Sequence, residues 1–248
     1  MGKAARDVSA RERIKAQREL ERKQEQRRRL ATIITVVVVA LVAVGGGWWY
    51  VQSGKSETLS GQLAPITVQS DGTIVMAKPG VEKPVLDVYE DFQCPACKMF
   101  EETSSATVKN MAAAGQVKVQ YHPINIFTME PTSSNSMRAS AAARCVPGGS
   151  QWMAFHDKLF KQQPPEDKQG FALDDLVKWG KDAGVTDPGF EACVKSQKHV
   201  QAQTQYSQTA SKMAPKGTPT LRLNGTELDN KVAFTPASLR QAILDAAK

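Results

Sequence analysis

The run Cys94-Pro95-Ala96-Cys97 constrains this chain more than any other feature of its sequence. It follows Val85-Leu86-Asp87-Val88-Tyr89, an apolar run that reads as a strand, and it opens a segment that reads as a helix. Pro95 suits the first helical position, because its missing N–H would have no partner there. Cys94 then falls at the N-cap, where unpaired backbone N–H groups and the positive end of the helix dipole favour a thiolate over a thiol. The thiolate is the reactive form, so local geometry predicts a nucleophile. Two thiols at this spacing can close a small disulfide ring and reopen it. Half of a metal site, or two inert buried cysteines, is the alternative that the motif alone leaves open. Its place between strand and helix favours redox chemistry.

The net charge of +7 sits almost wholly in residues 1–29, where eleven Lys and Arg face five Asp and Glu. Residues 30–51 carry no charge and end in Gly45-Gly46-Gly47-Trp48-Trp49-Tyr50-Val51. As a helix this stretch spans about 33 Å, enough for a hydrocarbon core of about 30 Å. The aromatic rings suit the far interface, and the basic flank belongs on the cytoplasmic side. A single-pass anchor follows, with a cytoplasmic N-terminus and everything after Val51 outside. A cleaved signal peptide competes, since Ala43-Val44-Gly45 has small residues at cleavage spacing. The long basic region and the aromatic pair after the cut favour a retained anchor. Interspersed acids and the adjoining span argue against nucleic acid as the partner of the basic tail. Four cysteines in an extracytoplasmic chain point to disulfides. With the CxxC pair closed on itself, Cys145 is left with Cys193.

Residues 52–66 are polar and rich in Ser and Gly, a tether with a coil dimension of roughly 20 Å. The rest, residues 67–248, is long enough for one well-buried core. Short strands are predicted at 74–76 and 85–89, a helix from the CPxC motif to about Ala114, and a strand at 117–122. A punctuated helical block follows, making an insertion at about 132–214. A strand returns at 220–223, Asn224-Gly225 signals a hairpin, and a partner strand is expected near 231–234. Thr235-Pro236 starts a last helix. This order gives an α/β, thioredoxin-like fold with a helical insertion domain, preceded by a single N-terminal transmembrane helix.

Glu90-Asp91-Phe92-Gln93-Cys94-Pro95-Ala96-Cys97, followed much later by Lys216-Gly217-Thr218-Pro219-Thr220, resembles the DsbA-like thiol-disulfide oxidoreductases. The similarity is greatest to their membrane-anchored forms from Gram-positive bacteria, and it covers residues 66–248. The resemblance implies that Cys94 is the exposed attacking sulfur and that Cys97, one turn further in, is the resolving partner. It implies a cis Pro219 facing the CxxC, with the Thr218 backbone free to pair with an extended substrate strand. Cys145 and Cys193 resemble the second, structural pair of some relatives. Two positions depart from the pattern. Ala96 stands where strongly oxidising members carry a histidine. Val88 stands where many relatives carry an acid, which leaves Asp87 and Glu90 nearby and no assigned proton shuttle.

The function expected is a membrane-tethered oxidoreductase that introduces disulfides into secreted or cell-surface proteins and needs no cofactor or metal. Its partners would be reduced polypeptides and a membrane redox protein that reoxidises it, and the chain would act as a monomer. A reductase or isomerase of the same fold is the nearest alternative, although the tether holds no dimerisation module of the kind isomerases use. A copper-binding module using both thiols is a further alternative. Met99 is close enough to serve as a third ligand but is expected to pack with the helix. His122, His156 and His199 match no ligand spacing. Trp152, Phe155, Leu159 and Phe160 recur at helical spacing and read as insertion core.

Overall fold

A computed structural model describes residues 63–214 and 216–248. The predicted basic tail, membrane span and most of the tether lie outside the described residues. Among those described, no helix is long and apolar enough to cross a membrane. Six strands form one mixed sheet: β1 (Ile66–Val68), β2 (Ile74–Met76), β3 (Val85–Glu90), β4 (Lys118–Pro123), β5 (Thr220–Leu223) and β6 (Thr226–Glu227), in the order β1-β2-β4-β3-β5-β6. β3 and β4 pair in parallel, and every other pairing is antiparallel. The parallel pair needs a crossover, and α1 (Pro95–Thr103) with α2 (Ser105–Ala113) supplies it.

Leu86 and Val88 of β3 and Val119 and Tyr121 of β4 are fully buried. That burial on the central strands makes β3 a rigid base for the motif at its end. The crossover was expected as one helix but breaks at Ser104. Thr103 Oγ1 donates to the Met99 carbonyl at 2.8 Å, and Ser105 Oγ donates to that of Glu101 at 2.8 Å. Back-bonding hydroxyls of this kind compete with the ladder and bend helices.

Five helices make the insertion: α3 (Thr132–Ala143), α4 (Ser150–Lys161), α5 (Leu173–Asp182), α6 (Phe190–Lys195) and α7 (Val200–Ala210), with a short 3₁₀ turn at Ser211–Met213. Trp152, Phe155, Leu159 and Phe160 are buried and belong to the same apolar cluster as Leu86, Val88 and Phe92 of the sheet side. The insertion thus shares one core with the sheet.

The predicted partner strand near 231–234 is a helix instead, α8 (Asn230–Ala233), followed by α9 (Pro236–Ala246). Asn224 and Gly225 both have positive φ, 48° and 82°, as a two-residue type I′ turn demands. So tight a turn pairs Leu223 with Thr226 at once. The strand is over by Glu227, and Asp229 Oδ1 caps the next helix by accepting from the Lys231 N–H at 2.7 Å. β1 was not foreseen. Ala64 and Ile66 are buried, so packing begins inside the segment read as tether.

Candidate active site

At the end of β3 the chain turns into α1 through Asp91. The Gln93 N–H donates to Asp91 Oδ1 and the Cys94 N–H to the Asp91 carbonyl, each at 2.9 Å. This Asx turn sets Cys94 at the N-cap in an extended conformation, with Pro95 at the first helical position. The local geometry expected of the motif is thus present. Both sulfurs are free thiols here, and both residues are buried.

Cys94 is 6% exposed, against 0% for Cys97. The attacking sulfur is therefore nearly covered rather than openly exposed, although it is the more accessible of the two. What covers it is the loop before β5. As a thiol, Cys94 donates from Sγ to the Thr218 carbonyl at 3.2 Å, across 124 positions of sequence, and the Thr218–Pro219 bond is cis. Thr218 and Pro219 therefore stand where the resemblance put them. Met99, expected to pack inward, is 51% exposed beside the motif.

The two thiols are held in opposite states. The Cys97 thiol donates to Cys94, and with the Thr218 side chain and the backbone N–H groups of Ala96 and Cys97 it outweighs the cost of burial. The Cys94 pKa falls to about 6. Burial pushes the Cys97 thiol well up, reinforced by its hydrogen bond to Cys94 and by the charge there. Cys94 is mostly thiolate at neutral pH and Cys97 remains protonated.

Three acids surround this end of β3, and two are engaged elsewhere. Asp87 Oδ1 lies 3.0 Å from His122 Nε2, whose Nδ1 meets the Tyr206 hydroxyl at 2.6 Å. Glu90 Oε1 lies 2.8 Å from His156 Nε2. Asp91 is the acid beside the thiols, and its own N–H donates to Cys97 Sγ at 3.5 Å. Burial lifts its carboxyl to about 7, although Oδ2 accepts from the Ile126 N–H at 2.9 Å and from Ser136 Oγ at 2.7 Å.

The insertion also holds the motif directly. Gln163, just after α4, donates from Nε2 to the carbonyls of Phe92 (2.8 Å) and Cys94 (2.9 Å), and Gln93 Nε2 donates to that of Pro164 at 3.0 Å. The sequence reading missed Asp91 and Gln163. Asp91 was open to recognition as an Asx residue shortly before a helix start. Nothing in the sequence marks Gln163, whose contact spans some seventy positions. Cys145 and Cys193 form a disulfide that ties the end of α3 to α6, with Cα atoms 5.9 Å apart.

Residues 80–245 match the family model described as Thioredoxin. The chain belongs to the thioredoxin family. Its fold matches the reduced disulfide bond oxidoreductase DsbG from Mycobacterium tuberculosis with a TM-score of 0.60 and 30% identity, over 73% of this chain and 86% of that one. MdbA, a thiol-disulfide oxidoreductase from Corynebacterium diphtheriae, superposes with a TM-score of 0.63 over 77% of this chain and 99% of that one; at 20% identity it speaks to the fold alone. Among curated relatives, the serine/threonine-protein kinase PknE of Mycobacterium tuberculosis is 28% identical over 138 residues, 53% of this chain. The chain spans about a quarter of the length of the PknE relatives it matches. With this fold and this dithiol, and with matches at 30% identity, the described domain is of the DsbA-like thiol-disulfide oxidoreductase kind.

Proposed function

We propose that this oxidoreductase is tethered to the cell membrane, faces outward, and introduces disulfides into secreted or cell-surface proteins. The observation that carries the direction is the asymmetry of the thiols, with Cys94 lowered to about 6 and Cys97 buried and raised. In the oxidised enzyme a substrate thiolate attacks Cys94 Sγ, and the Cys94–Cys97 bond breaks with Cys97 leaving. A second substrate thiolate then attacks the substrate sulfur of the mixed disulfide, and Cys94 leaves as a stabilised thiolate. The substrate gains a disulfide, the enzyme takes up two electrons, and a membrane redox partner removes them.

Asp91 is the group suited to supply a proton at this site, because burial holds its carboxyl near neutrality within range of the Cys94 charge. Thr218 borders Cys94 with its backbone and is the natural edge for an extended substrate segment. The uncharged stretch 30–51 with its basic flank supports the anchor and its orientation.

The test is trapping in cells. Cys97→Ala should accumulate mixed disulfides with exported proteins, and Cys94→Ala should not. Equal trapping by both variants, or adducts confined to cytoplasmic proteins, would overturn the reading.

A further inference from the structure

Between the sheet and the insertion lies a buried charge cluster that the thiol chemistry does not use. Glu90 ends β3, Glu101 lies on α1, Lys109 on α2, and His156 and Asp157 on α4. His156 Nε2 is 2.8 Å from Glu90 Oε1, and its Nδ1 is 3.0 Å from Asp157 Oδ1. Lys109 Nζ is 2.7 Å from Asp157 Oδ1 but 3.6 Å from Glu101 Oε2. The side chains of Glu90 and His156 are fully buried, and that of Glu101 is 7% exposed. Even so, Glu90 Oε2 and both carboxylate oxygens of Glu101 have no hydrogen-bond partner. Buried polar atoms in folded proteins are nearly always satisfied, and a buried unsatisfied carboxylate oxygen is costly. Three such atoms in one place call for a missing partner.

We propose that Glu90, Glu101 and His156 form a binding site for one divalent first-row transition cation, Zn²⁺ or Mn²⁺. One ligand atom from each of the three residues lies within 4.8 Å of the others. Bonds of about 2.0–2.2 Å put tetrahedral ligand atoms about 3.4 Å apart, so small side-chain rotations bring them to a common ion. An imidazole nitrogen with carboxylate oxygens suits these cations better than soft copper(I).

The surroundings fit as well. Asp157 on Nδ1 fixes the tautomer that turns the Nε2 lone pair toward the ion, the usual outer partner of a ligating histidine. Phe92, Tyr121, Trp152 and Phe160 pack around the imidazole ring and dry its inner side. A cavity of about 320 Å³, lined by Glu101, Ser105, Lys109 and Asp157 among others, reaches Glu101, one of the three ligands.

Charge balance points the same way. With the three carboxylates ionised, Lys109 and a protonated His156 leave one negative charge unmatched, and exchanging the imidazole proton for a dication cancels it. The cation nearest Glu101, Lys109, stays beyond hydrogen-bond range of it. A buried ion cluster with imidazolium as its central cation is the competing account. It leaves the three oxygens unpaired and predicts no metal affinity.

The test is calorimetric titration of the full chain, with all four cysteines in disulfides so that no thiol binds metal, using ZnCl₂ and MnCl₂. One cation should bind per chain. Glu101→Gln should weaken binding by about tenfold or more. Pulsed EPR of the Mn²⁺-loaded wild type should show nitrogen coupling from a single imidazole, a readout that needs no variant to fold. Absence of saturable binding below about 1 mM, binding without nitrogen coupling, or unchanged affinity in a folded Glu101→Gln protein would each overturn the site. None of these results bears on Cys94 reactivity, so the redox assignment stands or falls separately.

Discussion

At the scale of residues, the site works through the difference between two cysteines three positions apart. Cys94 takes N–H groups and the Cys97 thiol, whereas Cys97 is enclosed. The reduced protein should therefore show one thiolate titration centred near pH 6, read by ultraviolet absorbance and lost in Cys94→Ala. Alkylation should modify Cys94 first, with a rate that rises with pH and levels off above about 6. Preferential modification of Cys97 would contradict the assignment. Asp91 gives a second titration of opposite origin. Its folded pKa of about 7 is raised above the ordinary aspartate value by burial, so the protonated carboxyl favours the folded state. That stabilisation is fully present below about pH 4 and is lost as pH rises through about 7. The stability advantage of wild type over Asp91→Asn should accordingly shrink between those limits in chemical denaturation. The variant should remain the less stable at low pH, by about 1–3 kcal/mol, since an amide cannot accept from Gln93, Ile126 and Ser136 together. A gap that widens with pH would refute the buried-acid account.

At the scale of elements, the insertion is a structural partner of the motif. Gln163 satisfies the carbonyls on both sides of Gln93 from just beyond α4. Gln163→Ala should lower stability by about 1–3 kcal/mol, because the Phe92 carbonyl is left unpaired and that of Cys94 keeps only the Lys98 N–H. It should also move the Cys94 titration, because the N-cap loses its brace. A titration curve identical to wild type in the folded variant would show that the brace has no effect on the thiol. The Cys145–Cys193 bridge spans 48 positions, and its loss should cost about 4 kcal/mol in the chain-entropy estimate. The double Cys→Ser variant should melt earlier while keeping Cys94 chemistry wherever it stays folded, as a melting curve and a single-turnover assay would show together. Strands β2, β3 and β5 and the CPxC helix start were legible because local pattern and burial agree there. β1 was hidden because it directly follows Pro65 at the end of a polar, Ser- and Gly-rich stretch that reads as tether. β6 was misplaced because the expected loop was longer than the type I′ turn allows. Gln163, and the clustering of Glu90, Glu101 and His156, depend on contacts between distant segments that no spacing encodes.

At the scale of the whole molecule, the question is which way electrons run. A stabilised thiolate favours the reduced dithiol and so makes the disulfide a stronger oxidant. The Cys97 hydrogen bond and the N–H groups at the helix start hold Cys94 below the ordinary thiol range, as in redox-active thiols of this motif. Ala96 explains why the shift is moderate, since it brings neither charge nor a side-chain hydrogen bond, leaving backbone N–H groups, Cys97 and Thr218 to hold the thiolate. The potential should then fall between about −270 mV, that of thioredoxin, and about −120 mV, that of DsbA. Outside the membrane no thiol pool would hold such a pair reduced. Equilibration with glutathione buffers should give a potential in this interval, and alkylation of intact cells should find the pair mostly oxidised. Oxidised protein should refold a reduced, disulfide-requiring substrate only while Cys94 is present. A potential at or below that of thioredoxin, with the pair reduced in cells, would reverse the direction and make the protein a reductase built on the same site.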